Sequence, residues 1–408
     1  MFVTLGNNLP CHCEPEAWQS RCGAGACYNW TEKPRLEIAS SLSLLAMTKK
    51  EVSLIIWTST PNHFLRKLNE VINWNRFTGR LLSHYKGKGK IGQAPYNPIT
   101  ILKMLPLSYL WDVSERMMEV LANDSRSISF FLGLGADEKA PDHPTLTLFK
   151  NRLTENAGLK AYEEIFDEIV RVARVRGVKF GKLQVVDSVH LVADVNLGKD
   201  KQRQREGKNP RDKDATWGAK GDKVVVGRDG KRHKETQYFY GYKDQVSLNA
   251  DTELVTSVIP GYANDYDGHK LKRLVEKDEG KGIEVGTVAG DKGYDDGDNH
   301  YYLKAKGINS AIRLNNYRTE KKDNNKEGWL KLKESREYSD GLKERYKVER
   351  KFGEARKWHG FSRCRYVGFI RHAIQSYLTF MALNLKRLVK LLTGVSFRGE
   401  ARVYAMTG

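Results

Sequence analysis

The sequence predicts a mixed α/β fold preceded by a small helical unit. Three observations predict it. Apolar residues recur three and four apart from about residue 64 to 153, apolar runs ending in acids follow Gly177, and long helical patterns return from Arg345 onward. The chain has 408 residues, more than one typical domain, with 40% hydrophobic and 29% charged residues, a balance that excludes a disordered chain. Its formal net charge of +19 points to an anionic partner, nucleic acid first among them.

The expected organisation runs as follows. Residues 1–46 mix Cys, Trp, Gly and Pro without period and read as an unstructured or mis-started leader, with Met47 as the start of the protein proper. Cys11, Cys13, Cys22 and Cys27 fall here, in a spacing without the paired knuckles of a zinc site. Residues 47–160 form the helical unit, a DNA-binding or dimerisation domain. Leu65, Leu68, Val71 and Ile72 mark one helix, PITILKMLPLSY a second, interrupted or bent at Pro106, and Ser114 caps a third. A turn, a capping threonine and a basic helix follow in PDHPTLTLFKNR. Arg76, Arg80, Lys86, Lys88 and Lys90 make this region basic.

Residues 161–394 carry the α/β unit, and 395–408 a tail. Its first helix ends at Gly177, and LQVVDSV, YFYGYKDQVSLNAD, LVTSVIPG, GTVAGDKGYDD and INSAIRL read as strands. A helix is expected near His300 to Lys306. Two charged inserts interrupt the pattern, at 199–236 and 316–343. The first holds 13 Lys/Arg against 7 Asp/Glu and includes Trp217. Such runs are usually solvated loops, but cations around an aromatic ring equally suit phosphate and base contact. No run reaches the ~20 apolar residues of a membrane span, and no basic n-region opens the chain, so the expected home is the cytoplasm beside DNA.

Three acids stand where metal-dependent phosphodiester chemistry would need them. Such chemistry uses hard oxygen ligands on rigid elements. Asp187 ends the apolar run Leu183–Val186, and Asp291 ends Val285–Gly290 and leads into Lys292, a candidate phosphate contact. Each, taken alone, equally suits a cap or a turn. Glu349 flanks a buried stripe of Val348, Phe352 and Ala355, with Arg345 one turn before and Arg356 two turns after. That pattern fits a metal ligand beside phosphate clamps, and equally an exposed Glu–Arg helix pair. Asp265 and Asp267 read as loop or cap residues, Asp295 and Asp296 rank below Asp291, and His190 and His359 read as DNA-contacting or surface residues.

Taken together and in order, LQVVDS, AGDKGY and RYKVERKFGEARKWHGFSRCRYVG resemble the DDE transposases of bacterial insertion sequences. The resemblance is to the insertion-sequence-five-like group with an InsH-type N-terminal domain, through YNPITILKMLPL, PDHPTLTLFKNRL and GYANDYDGHKL, and covers about residues 64–394. It implies an RNase H-like catalytic domain in which Asp187, Asp291 and Glu349 hold two Mg²⁺ ions, with Mn²⁺ able to substitute. The group's Tyr-x2-Arg-x3-Glu-x6-Lys signature falls on Leu342, Arg345, Glu349 and Arg356, so a leucine replaces the tyrosine and an arginine the lysine. The implied activity is cleavage at the terminal inverted repeats of an element and joining of the 3′-hydroxyl ends to target DNA, by two protomers in one synaptic complex. A decayed DNA-binding protein, or a nuclease of the same fold that cuts without joining, are the alternatives.

Overall fold

The computed structural model describes residues 61–84, 96–135, 137–226, 230–320 and 325–397. The expected leader with its four cysteines, Lys86, Lys88, Lys90, the side chain of Arg80 and all but the first three residues of the tail lie outside them.

Among the described residues seven helices come first: α1 (Phe64–Val71), α2 (Thr78–His84), α3 (Pro98–Leu110), α4 (Glu115–Asp124), α5 (Arg126–Leu132), α6 (His143–Ala157) and α7 (Lys160–Val175). Side-chain caps that accept from first-turn N–H groups start α1, α3, α4, α5 and α6, whereas α7 starts without one. Ser114 accepts from Met117 N ahead of α4, as expected. Helix α6 is capped by Asp142, which accepts from Thr145 N at 2.9 Å, and not by a threonine. Its Pro144 sits in the first turn, where a missing N–H costs nothing, so the helix starts earlier than the sequence suggested. Helix α3 runs on through Pro106 rather than being interrupted there. Twelve of its thirteen residues are buried, so packing on every side outweighs the lost hydrogen bond.

The sheet follows: β1 (Leu183–Val192), β2 (Thr216–Val226), β3 (Arg232–Asn249), β4 (Val255–Ile259), β5 (Thr287–Gly290) and β6 (Asn309–Ile312). Strand β3 pairs antiparallel with β1, β2 and β4, and β5 and β6 continue from β1 in parallel. The central path β4–β3–β1–β5–β6, three antiparallel strands and then two parallel ones, is the RNase H-like mixed sheet. Between the strands lie α8 (Leu197–Arg205), α9 (Leu271–Gly280) and α10 (Gly297–Ala305), and the chain ends in α11 (Lys326–Glu334), α12 (Arg336–Glu344), α13 (Tyr346–Trp358) and α14 (Phe369–Thr393).

Alternation along the strands divides the sheet between two layers. Val186, Val288 and Ile312 face a cluster with Leu271, Leu274 and Leu303 from α9 and α10. Val185, Ala289 and Ala311 face the larger core, which takes in Val348 and Phe352 of α13, Tyr377 and Phe380 of α14, and Phe64, Phe131 and Phe149 of the helical unit. Gly341 of α12 lets that helix lie directly on the sheet, since a Cβ there would stand 2.4 Å from Ala311 Cβ. No helix among the described residues is long and apolar enough to cross a membrane.

Neither charged insert is a plain loop. The first holds α8 and a two-stranded ribbon, because β2 pairs with the outer half of β3 from Thr216↔Gly241 to Val226↔Arg232. Ladder hydrogen bonds satisfy the backbone there although most side chains are exposed, so a pattern of hydrophobicity could not reveal it. The second insert folds as α11 and α12, the latter anchored by Tyr338 and Gly341.

Candidate active site

Asp187 lies within β1 rather than at its end, because β3 keeps pairing with β1 as far as Val192↔Gly241. Strand β5, however, pairs with β1 only over Leu183↔Thr287 to Val185↔Ala289. Carrying that register two residues further sets Asp187 level with Asp291, which directly follows Gly290 at the end of β5. Residues level in parallel register share a face, here the one covered by α12 and α13. The two aspartates therefore stand side by side where the parallel pair opens, the position where α/β sheets place their ligands.

Little in the protein satisfies them. Asp187 accepts from the next backbone N–H, Ser188 N, at 2.8 Å, and Asp291 accepts from Gly293 N at 2.9 Å. Burial, then the neighbouring charge of Asp291, pushes the Asp187 carboxyl up to about 7, against the pull of Arg345. Burial also raises Asp291, opposed by its Gly293 hydrogen bond and by Arg345.

Helix α13 delivers the third acid. Val348, Phe352 and Ala355 form its buried stripe as the spacing predicted, and Glu349 stands in its first turn with the side chain 60% exposed. Arg345, at the α12–α13 junction, lies between the acids: its Nη2 is 3.6 Å from both Asp187 Oδ2 and Glu349 Oε1. Arg345 Nε is buried without a partner among the described residues. No three His, Cys, Asp or Glu side chains among the described residues are gathered closely enough to hold a metal ion as they stand. A guanidinium occupies the space between the sheet carboxylates and Glu349.

The other expected residues divide. Arg356 is exposed and contacts His190 Nδ1 through Nη2 at 3.3 Å, and the charge of Asp187 reaches it. His190 packs on Phe239 with ring centroids 4.8 Å apart; burial, then Arg356 and Lys220, bring its pKa down to about 4, so it is neutral at pH 7. Lys292 donates to Asn316 Oδ1 at 3.2 Å beside the site. Trp217, half exposed at the base of the β2–β3 ribbon, packs on Tyr240. Leu342 is half-buried in α12. His359 is buried against Tyr109 O at 3.0 Å, not on the surface. Asp295 pairs with His300 and Arg318, Asp296 caps α10, and Asp265 pairs with Lys270, so these three serve the fold.

Asp267 is the residue that spacing undervalued. It opens a short 3-10 turn, as a cap would, but its carboxylate turns to the site. Ser188 Oγ donates to its Oδ2 at 3.1 Å, and Lys243 Nζ and Gln245 Nε2 approach its Oδ1 at 2.6 Å each. Tyr294, fully buried below, donates to Gln245 Oε1 and feels the charges of Asp267, Asp187 and Asp291. The signal lay in β3: Lys243 and Gln245 are polar residues two apart on a central strand, and only the pairing shows what they face.

Two families match the chain. Residues 54–152 match one described as a transposase domain (DUF772), and residues 194–385 match the transposase DDE domain. The second match spans Asp291 and Glu349 and begins just after β1, which carries Asp187. Solved structures align at low similarity. A piggyBac transposase synaptic complex with hairpin DNA aligns at 10% identity over 89% of this chain and 82% of its own, with a TM-score of 0.29. A Mos1 transposase paired-end complex with the left transposon end aligns at 10% identity over 76% and 97%, with a TM-score of 0.19.

Proposed function

Because this chain belongs to the DDE transposases, we propose that Asp187, Asp291 and Glu349 are the divalent-metal ligands with which it cuts and rejoins DNA. The observation that carries the reading is the level pair Asp187–Asp291, two half-buried carboxylates with one shared cation, Arg345. Their donor chemistry fits Mg²⁺ or Mn²⁺: hard oxygens on neighbouring strands, with Asp187 raised to about 7 by burial and then by the charge of Asp291. Bound cations would supply Lewis-acid activation of the attacking and leaving oxygens.

The chain's own residues do the rest. Arg345 lies between Asp187 and Glu349, and its guanidinium would be free to meet a phosphate if a cation took that place. Arg356 and Lys292 flank the acids as phosphate contacts, and Trp217 with the basic ribbon extends the cationic surface. Lys243, Gln245 and Ser188 orient Asp267, whose charge adds to that of Asp291. The helical unit ahead of the sheet is assigned to recognition of the element's terminal inverted repeats. A homodimer, one protomer per end, forms the synaptic complex. The net charge of +19 supports DNA as the partner, and the reaction places the protein with the nucleoid.

Purified protein should nick duplexes from the ends of its element only with Mg²⁺ or Mn²⁺, and join pre-cut ends to a target plasmid. Asp187→Asn, Asp291→Asn and Glu349→Gln should each abolish both steps. Full cleavage by any one variant would remove that residue from the site.

A further inference from the structure

Helix α13 contains a glycine for which the described fold shows no use. Gly353 lies mid-helix, where glycine is among the least favourable residues. It is exposed, and a Cβ built there would meet nothing within 4 Å among the described residues. Gly341 of α12 shows the contrast, since the sheet fills the place of its missing side chain. At Gly353 the bare backbone faces outward. Glu349 is one turn before it and Lys357 one turn after, on the same face, with Arg350 and Arg356 three residues to either side and Tyr346 two turns back. All five are exposed. Arg350 is steadied by Glu253 and by the Tyr346 ring, and Arg356 by His190.

We propose that the DNA strand held at the carboxylates continues across α13 in contact with the backbone at Gly353, with Arg350, Arg356 and Lys357 on its phosphates. A helix backbone without side chains between cations lets a phosphodiester chain approach more closely than any other residue would allow. Of the acids around the gap, Glu253 is paired with Arg350 and Glu354 with Lys351 and Lys386, so Arg356 and Lys357 leave the exposed face cationic beside Glu349, which favours nucleic acid over an apolar partner. This inference rests on the reading of Glu349 as a residue of the DNA-cleaving site.

The test uses the full chain as Gly353→Ala and Gly353→Leu, with Gly280→Ala as control. Gly280 is another exposed helical glycine whose Cβ would meet nothing, at the end of α9. The readouts are the thermal midpoint without DNA, the oligomeric state, and affinity for a labelled duplex from the element end in Ca²⁺. Gly353→Ala should raise the midpoint by about 1–3 °C, while weakening the duplex roughly tenfold, and Gly353→Leu should weaken it roughly a hundredfold. Gly280→Ala should leave binding unchanged. Wild-type affinity in Gly353→Leu would overturn the inference. So would a lowered midpoint or altered oligomeric state in that variant, which would show protein, from this chain or a second copy, covering the face. If wild-type protein binds this duplex but never cleaves it, the proposed function falls while the strand path stands.

Discussion

Two groups of carboxylates on one face of the sheet, one fully buried and one half-buried, are treated in opposite ways. Asp244 pairs in register with Val189, two residues along β1 from Asp187. It is fully buried, and its oxygens are taken by His372 Nε2 at 2.8 Å and by Ser376 Oγ. Asp212, equally buried, accepts from Tyr242 Oη at 2.8 and 2.9 Å and from Gly368 N at 3.2 Å. Asp187 and Asp291 receive one backbone N–H each and share one arginine at a distance. Buried acids with full sets of partners tie β3 to α14 and to the chain just ahead of it. Half-buried acids without them store electrostatic energy that a cation can release.

Breaking the satisfied group should do the most harm. Asp244→Ala should lower stability by about 3–5 kcal/mol, because His372 Nε2 loses its partner in the core and Ser376 Oγ keeps only the His372 carbonyl. Denaturant titration measures it; a loss below about 1 kcal/mol would mean that the network is dispensable.

Asp187→Asn should act in the opposite direction. The folded-state pKa of Asp187 is raised, so its stabilising influence is present at low pH and lost as pH rises from about 4 through about 7. The metal-free variant should then exceed wild type by about 1–3 kcal/mol at pH 8, with the gap closing toward pH 4. A variant whose advantage over wild type is no larger at pH 8 than at pH 4 would contradict the stored electrostatic energy.

Asp267→Asn and Lys243→Met sharpen the boundary between the groups, since Asp267 is bonded but faces the site. Each should reduce cleavage roughly ten- to a hundredfold without abolishing it. Complete loss would promote Asp267 to the ligand set, and no change would return it to the turn it opens.

The smallest effect is expected at Glu354, on the inner flank of α13. Burial works to raise its pKa, but Lys351 and Lys386 outweigh that and bring it down to about 2. Its contribution is present above about pH 4.5 and lost as pH falls toward 2. Glu354→Gln should cost about 1–2 kcal/mol at pH 7, shrinking in acid, as pH-dependent unfolding would show.

How much of this was legible follows from what each residue's role depends on. The buried stripe of α13 was readable because Val348, Phe352 and Ala355 keep helical spacing. The strands carrying Asp187 and Asp291 were readable from their apolar runs, though not that β1 continues past Asp187, which depends on pairing with a strand distant in sequence, from Ser188↔Gln245 to Val192↔Gly241. The ribbon of β2 was hidden because its side chains are polar and its order comes from ladder hydrogen bonds. Asp267 was hidden because its neighbours Lys243, Gln245 and Ser188 come from two other elements. His359 was misplaced because a histidine after an exposed helix end gives no sign of the Tyr109 carbonyl that it meets.

The central claim is that the unsatisfied aspartates are a cation site, and Mn²⁺ titration of the DNA-free protein, followed by its thermal midpoint, tests it most directly. The account predicts that Mn²⁺ raises the wild-type midpoint by several degrees, while Asp187→Asn and Asp291→Asn start higher and do not respond. An equal Mn²⁺ shift in wild type and both variants would place the metal elsewhere and contradict it.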